Sequence, residues 1–223
     1  MNLNLTGKNA FVGGSSKGIG KAVAVELAKL GANVTVVGRD EAALVQGMID
    51  LSFIGNGDQK HDYVAVDFSN YERVKGAVSK HLKKTNKTYH ILVNNTGGPA
   101  SGKISDAEEK DFVESFESHL LNNHMLTKMF VEGMKKDGYG RIINIISTSV
   151  KQPLPNLGVS NTIRAAVANW SKTMANELGV FGITVNNVLP GATETDRLKQ
   201  IIDAKSQKMN ASSDTISEEM KNE

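Results

Sequence analysis

The stretch VGGSSKGIGKAV, residues 12–23, decides the fold. It follows the apolar run NAFVG (9–13) and leads into the helical pattern GKAVAVELAKL (20–30). A second β-branched run, NVTVVG (33–38), comes next, which completes a βαβ unit of the usual length. Gly14, Gly18 and Gly20 are spaced G-x-x-x-G-x-G. Glycines let a backbone turn tightly and approach a pyrophosphate, and a helix start offers unpaired N–H groups with partial positive charge. Three glycines alone also serve ordinary turns. With a strand before them and a helix after, they mark a dinucleotide site. Its expected contacts are Gly14, Ser16, Lys17, Gly18, Ile19 and Gly20.

Outward from this unit the alternation continues. YVAVD (63–67), ILVNN (91–95), RIINIIS (141–147) and ITVNNVLPG (183–191) supply four more strands. Helical patterns separate them, the longest from about Ser105 to Lys136. Near-continuous apolar strands joined by helices imply a parallel sheet covered on both faces. The expected fold is α/β: a Rossmann-type, doubly wound parallel sheet in three α/β/α layers. Residues 1–223 read as one dinucleotide-binding domain, with a cofactor half (1–100), a catalytic half (101–197) and a polar lid fragment or mobile tail (198–223).

Composition narrows the function. Among 223 residues, 39% are apolar and 22% charged, as in ordinary globular proteins. A net charge of +2 without a basic block argues against a nucleic-acid partner. There is no cysteine, which excludes thiol catalysis and disulfides. The start MNLNLTGKNAFVGG lacks a signal-peptide core, and no apolar run reaches spanning length. A cytoplasmic protein with no membrane partner and no metal site is expected.

The end of the second strand refines the cofactor. In NAD sites an acid there holds the ribose 2′-hydroxyl. Here it reads VVGRD, with Gly38 at the acid's place and Arg39 after it. Arg39 and Lys17 together suit a 2′-phosphate, so NADP(H) is preferred over NAD(H). Asp40 is expected to cap the next helix.

At this point the chain resembles the short-chain dehydrogenase/reductase family, nearest its 3-oxoacyl-carrier-protein-reductase-like members, from the N-terminus to about Arg197. GGSSKGIG is similar to the family's cofactor turn, with Gly13 where threonine is usual. Asp67 in VAVDFSN matches the acid that contacts adenine, with Phe68 beside it. NNTGG (94–98) resembles N-N-A-G and adds Asn94 and Gly97. LPGATET resembles P-G-x-x-x-T and places Pro190, Gly191, Thr193 and Thr195 near the nicotinamide. The resemblance implies hydride transfer between NADP(H) and a small carbonyl or alcohol substrate, in a homodimer or homotetramer.

The family's usual site holds Asn, Ser, Tyr and Lys. Ser147 in NIIS matches the serine, which orients the carbonyl. The tyrosine position falls on Ser160, the lysine position on Arg164 and the asparagine position on His119. Tyr63, Tyr71, Tyr89 and Tyr139 are expected before or at the start of strands, away from the cofactor end. A serine hydroxyl is a far weaker acid than a phenol of pKa about 10. Arginine stays charged, so it can hold ribose hydroxyls and stabilise negative charge without relaying a proton. His119 is expected to titrate near pH 7 and to supply the proton directly or through water, or else to be a packed histidine beside Phe112 and Phe116. Lys151 is a minor candidate for contacting an anionic substrate. Two readings stand side by side: an NADP(H)-dependent oxidoreductase with a modified site, and a catalytically silent NADP-binding relative acting as sensor or interaction protein.

Overall fold

The computed structural model describes residues 3–55, 57–195, 198, 199, 202, 203, 206 and 212–222. They form two compact units, Met1–Leu189 and Pro190–Glu223.

The first unit carries six parallel strands: β1 Asn9–Val12, β2 Asn33–Gly38, β3 Asp62–Ala65, β4 Ile91–Asn94, β5 Gly140–Ile145 and β6 Ile183–Val188. Their order across the sheet is β3-β2-β1-β4-β5-β6. The chain leaves β1 toward β2 on one side, and β4 later pairs on the other. That reversal opens a crevice outside the carboxyl ends of β1 and β4, where such sheets bind ligands. Helices α1 Gly18–Lys29 and α2 Glu41–Ile54 cover one face. Helices α3 Tyr71–Thr85, α5 Asn122–Lys136 and α6 Gly158–Leu178 cover the other. This is the three-layer Rossmann-type fold that the strand–helix alternation implies.

Each face buries its own core. Ala10, Val12, Val34, Val36, Ile91 and Val93 meet α1 and α2, which approach closely through Ala24 and Ala28. Phe11, Leu92 and Ile142 meet the opposite helices. There Phe11 stands edge-on to Tyr89 at 5.5 Å, and Phe130 lies 5.2 Å from Phe11, pairs that add about 1 kcal/mol each to their buried area.

The long helix expected from Ser105 to Lys136 is not continuous. A 3-10 turn, Ile104–Asp106, comes first. Helix α4, Glu109–Phe116, starts where the Glu108 N–H is held by Asp111 Oδ2 at 3.0 Å. A π turn, Glu117–Leu121, then widens the helix before α5 begins. Two strands end earlier than their apolar runs suggest, so Asp67 and Ser147 lie on loops beyond β3 and β5. Tyr71 also differs from expectation: it opens α3 at the carboxyl side of the sheet, because the chain turns into helix directly after the β3 loop. In the second unit, helix α7 spans Ser213–Asn222. Arg197, where the family pattern stops, lies outside the described residues.

Candidate active site

Gly14 and Gly18 adopt φ of +56° and +58°, a region that side chains strain to enter. Between them Ser15 is buried and works as a splice. Its hydroxyl donates to Val12 O (2.8 Å) and accepts from Val37 N–H (2.7 Å), tying the turn to β1 and β2. Ser16 is half-buried, whereas Lys17 and Gly18 are exposed. Lys17 is the residue before α1, and its side chain places no cap on the helix's first N–H groups. Those groups stay available to an anion. Ile19 is half-buried against the α1/α2 core. Gly20 is buried, and a Cβ there would lie 2.2 Å from Gly14 O. It serves close packing of helix on turn.

At the far side of this turn, Arg39 is exposed and its guanidinium lies 3.8 Å from Asp67. Asp67 also accepts the Ser69 N–H at 3.0 Å. Asp40 caps α2 through the Ala43 N–H. The Phe68 side chain is in the core, against Gly13, so only its backbone is left to meet a ligand.

Adjacent asparagines of the sequence NN diverge. The motif assigns Asn94 to the cofactor, but its side chain is buried and donates to Asn144 Oδ1 at 2.8 Å. Asn144 pairs with Asn94 and Asn187 in register across three strands, and its amide donates to Ser171 Oγ and Asn187 Oδ1. Asn95 turns the other way and donates to Gly13 O (3.0 Å) and Gly14 O (3.3 Å), fastening the glycine turn to the end of β4. Gly97 and Gly98 come next and are exposed; a Cβ at Gly97 would meet nothing within 4 Å.

The catalytic candidates gather at the ends of β5, α4 and α6. Ser147 stands in extended backbone two residues past β5, and its hydroxyl accepts from Ser149 N–H at 3.1 Å. Its own proton remains free to point elsewhere. Ser160 is buried near the start of α6, one turn before Arg164. Arg164 Nη1 donates to Ile145 O at 2.9 Å, which ties α6 to the end of β5. Its Nη2 lies 3.4 Å from where Gly98 would carry a Cβ. Helix α6 also packs against the turn after Ser147 and against the π turn.

His119 sits in that π turn, 5% exposed. Burial, then the charge of Arg164, push its pKa down to about 3. This corrects the expectation of titration near pH 7: the ring is neutral there and has no spare proton to give as an imidazolium. The packed alternative is also changed in detail. Phe116 is exposed, and the buried residues nearest His119 along the chain, Ser115, Asn122 and Asn123, are polar. Asn122 donates to Phe68 O at 2.7 Å, joining this helix to the β3 loop.

The family model described as short chain dehydrogenase matches residues 8–206. The chain belongs to the short chain dehydrogenase family. The 3-oxoacyl-[acyl-carrier-protein] reductase FabG of Vibrio cholerae is 35% identical to it over 203 residues, spanning 90% of this chain and 80% of that protein. Among solved structures, the L-sorbose reductase of Gluconobacter frateurii, complexed with NADPH and L-sorbose, is 31% identical with a TM-score of 0.86, covering 93% of this chain and 78% of that one. YwfH, an NADPH dependent reductase involved in bacilysin biosynthesis, is 28% identical with a TM-score of 0.84, covering 90% of this chain and 78% of that one.

Within this short chain dehydrogenase, sequence reasoning passed over Asn95, Ser15 and the π turn. Strand alternation carried a signal for the first: Leu92 and Asn94 share a face, so Asn95 had to face the other way. Pro190, Gly191, Thr193 and Thr195 belong to the second unit, where Thr195 Oγ1 donates to Thr193 O and accepts the Leu198 N–H, both at 3.3 Å. Tyr63, Tyr89 and Tyr139 lie at the amino side of β3, β4 and β5. Among the described residues no group of three His, Cys, Asp or Glu could hold a metal, and no helix is long and apolar enough to cross a membrane.

Proposed function

We propose that this short chain dehydrogenase is an NADP(H)-dependent oxidoreductase that interconverts a small carbonyl compound and its alcohol, with Ser160 and Arg164 standing where the family uses Tyr and Lys. The observation that carries this reading is the Arg164–Ile145 hydrogen bond. It sets a fixed positive charge two residues from Ser147, at the carboxyl edge of the sheet.

The residues present fit the cofactor. The left-handed glycines and uncapped start of α1 suit a pyrophosphate, Lys17 and Arg39 suit a 2′-phosphate, and Asp67, 3.8 Å from Arg39, suits the adenine side. The NADPH in the L-sorbose reductase complex supports the same choice. When bound, the cofactor exchanges a hydride with the carbonyl carbon. The chain's part is to manage the oxygen. The Ser147 and Ser160 hydroxyls donate to it, and Arg164 stabilises the charge that develops there. With His119 neutral and no phenol at position 160, the proton comes from water.

The test is NADPH oxidation, followed by absorbance, over a panel of ketones, aldehydes and quinones. Turnover with at least one carbonyl is expected, and Ser147→Ala should lower it about 100-fold, as for loss of one donor to a developing oxyanion. No oxidation with any of the panel would sink the reading.

A further inference from the structure

On the α6 side of the sheet, two side-chain layers follow one another. Leu92, Ile142 and Val185 stand in register on β4, β5 and β6, and all three are buried and apolar. Two residues further along the same strands come Asn94, Asn144 and Asn187, again in register. Asn94, Asn144 and the α6 residue Ser171 are buried. Apolar side chains would fill this second layer at lower cost, since a buried amide needs all its partners and Asn94 Oδ1 has none among the described residues. What the amides add is direction. Asn94 Nδ2 donates to Asn144 Oδ1 at 2.8 Å. Asn144 Nδ2 donates to Ser171 Oγ at 2.9 Å and to Asn187 Oδ1 at 3.2 Å. The Ser171 hydroxyl lies 2.8 Å from both Asn187 Oδ1 and Val167 O, and its one proton can serve either. Among the described residues, only Arg164 and Ser171 join α6 to the sheet by side-chain hydrogen bonds. Their spacing of two turns puts both on one face of the helix.

We infer that Asn144 and Ser171 are positioning residues: the amide ladder fixes how far along β5 helix α6 stands, and so where Ser160 and Arg164 lie relative to Ser147. Apolar packing holds a helix down but has no preferred direction, whereas a hydrogen bond fails once its partners shift by about 1 Å. The ladder also begins where the cofactor turn is fastened. Asn94 enters it from β4, and its neighbour Asn95 holds Gly13 O and Gly14 O. Two adjacent residues thus tie the glycine turn and, through Asn144, helix α6 to the same strand end. The placement of α6 follows from these bonds alone; its consequence for turnover rests on the oxidoreductase reading.

The experiment compares Ser171→Ala with Ile142→Val in the full chain. The second variant thins the apolar layer and leaves every hydrogen bond of the ladder in place. Both should fold, by circular dichroism, with lowered urea midpoints. Hydrogen exchange read by mass spectrometry should quicken about fivefold over residues 158–171 in Ser171→Ala, relative to β4 and β5, as for loss of one hydrogen bond. Ile142→Val should show no such difference between α6 and the strands. With a carbonyl that the native protein reduces, kcat should fall at least about tenfold in Ser171→Ala at little-changed KM, and hold in Ile142→Val. Binding of 2′,5′-ADP, which reports on the glycine turn, Lys17 and Arg39, should be unchanged in both. The same exchange pattern in the two variants overturns the inference. So does faster α6 exchange with kcat intact, or loss of 2′,5′-ADP binding in Ser171→Ala. If the native protein oxidises NADPH with no carbonyl, the oxidoreductase reading falls, and α6 exchange alone decides whether the ladder positions the helix.

Discussion

At the amino end of the sheet, the buried Tyr89 hydroxyl has two partners, Thr35 at 2.6 Å and His81 at 2.7 Å. Asp62 beside it takes Lys87 at 2.8 Å, and His90 joins the Asn9 N–H to Asp137. At the carboxyl end, Arg164 has one carbonyl, and neither His119 nor the Ser160 side chain makes a hydrogen bond among the described residues. The Tyr89 hydroxyl and Lys87 are thus closed within the chain, though His61 Nε2 and Asp62 Oδ1 beside them are buried with no partner among the described residues, whereas Arg164, His119 and Ser160 are left largely open. Paired groups hold a fold together. Unpaired ones are a cost unless something outside the chain completes them.

The largest test of that contrast is acid stability. His119 has a folded pKa of about 3 against an ordinary value near 6.5. Between those values the unfolded chain binds a proton that the folded chain refuses, so stability falls as pH drops from about 6.5 toward 3. By pH 4.5 this amounts to about 2 to 3 kcal/mol. At the amino end the pKa of His81 is lowered too, by burial first, with the charge of Asp62 raising it and those of Lys87 and Lys84 lowering it. Urea unfolding from pH 7 to 4.5 should therefore show a shallower acid limb for His119→Asn than for His81→Asn. Equal limbs would mean that the two ends do not differ in this respect.

Next in size is Tyr89→Phe. It removes one hydroxyl and leaves Thr35 Oγ1 and His81 Nε2 without that partner inside the protein. The expected loss is about 2 kcal/mol, read as a lower urea midpoint at unchanged slope. NADPH binding should not change, since Tyr89 lies at the opposite end of the sheet from the glycine turn. Weakened cofactor binding in this variant would break the separation.

The parts of this molecule that were legible in the sequence are those set by local backbone needs. Gly14 and Gly18 announce themselves because the turn demands positive φ, and Asp40 because a helix start needs a cap. Strand and helix alternation gives the layers for the same reason. Periodicity could not carry the π turn, since one extra residue per turn leaves the apolar pattern of 105–136 almost unchanged while rotating α5 relative to α4. Nor could it show that burial, with the charge of Arg164, would strip the ring of its proton. Those depend on which elements meet, and α4, α6 and β5 are far apart in the chain.

The smallest expected effect falls on Ser160. Its side chain is buried at 8% exposure, yet it makes no hydrogen bond among the described residues. By contrast the hydroxyls of Ser15 and Ser171 are committed to Val12 O and Val167 O. Removing a committed hydroxyl strands its partners and costs about 1 kcal/mol or more. Removing an uncommitted one strands nothing, and in a buried place relieves a polar group of poor solvation. Ser160→Ala should therefore change the unfolding free energy by no more than about 0.5 kcal/mol, in either direction. The same substitution should depress turnover with whatever carbonyl the native protein accepts. A loss of stability like that of Ser171→Ala, with turnover intact, would move Ser160 from the open set to the closed one and leave Arg164 and Ser147 to hold the substrate without it.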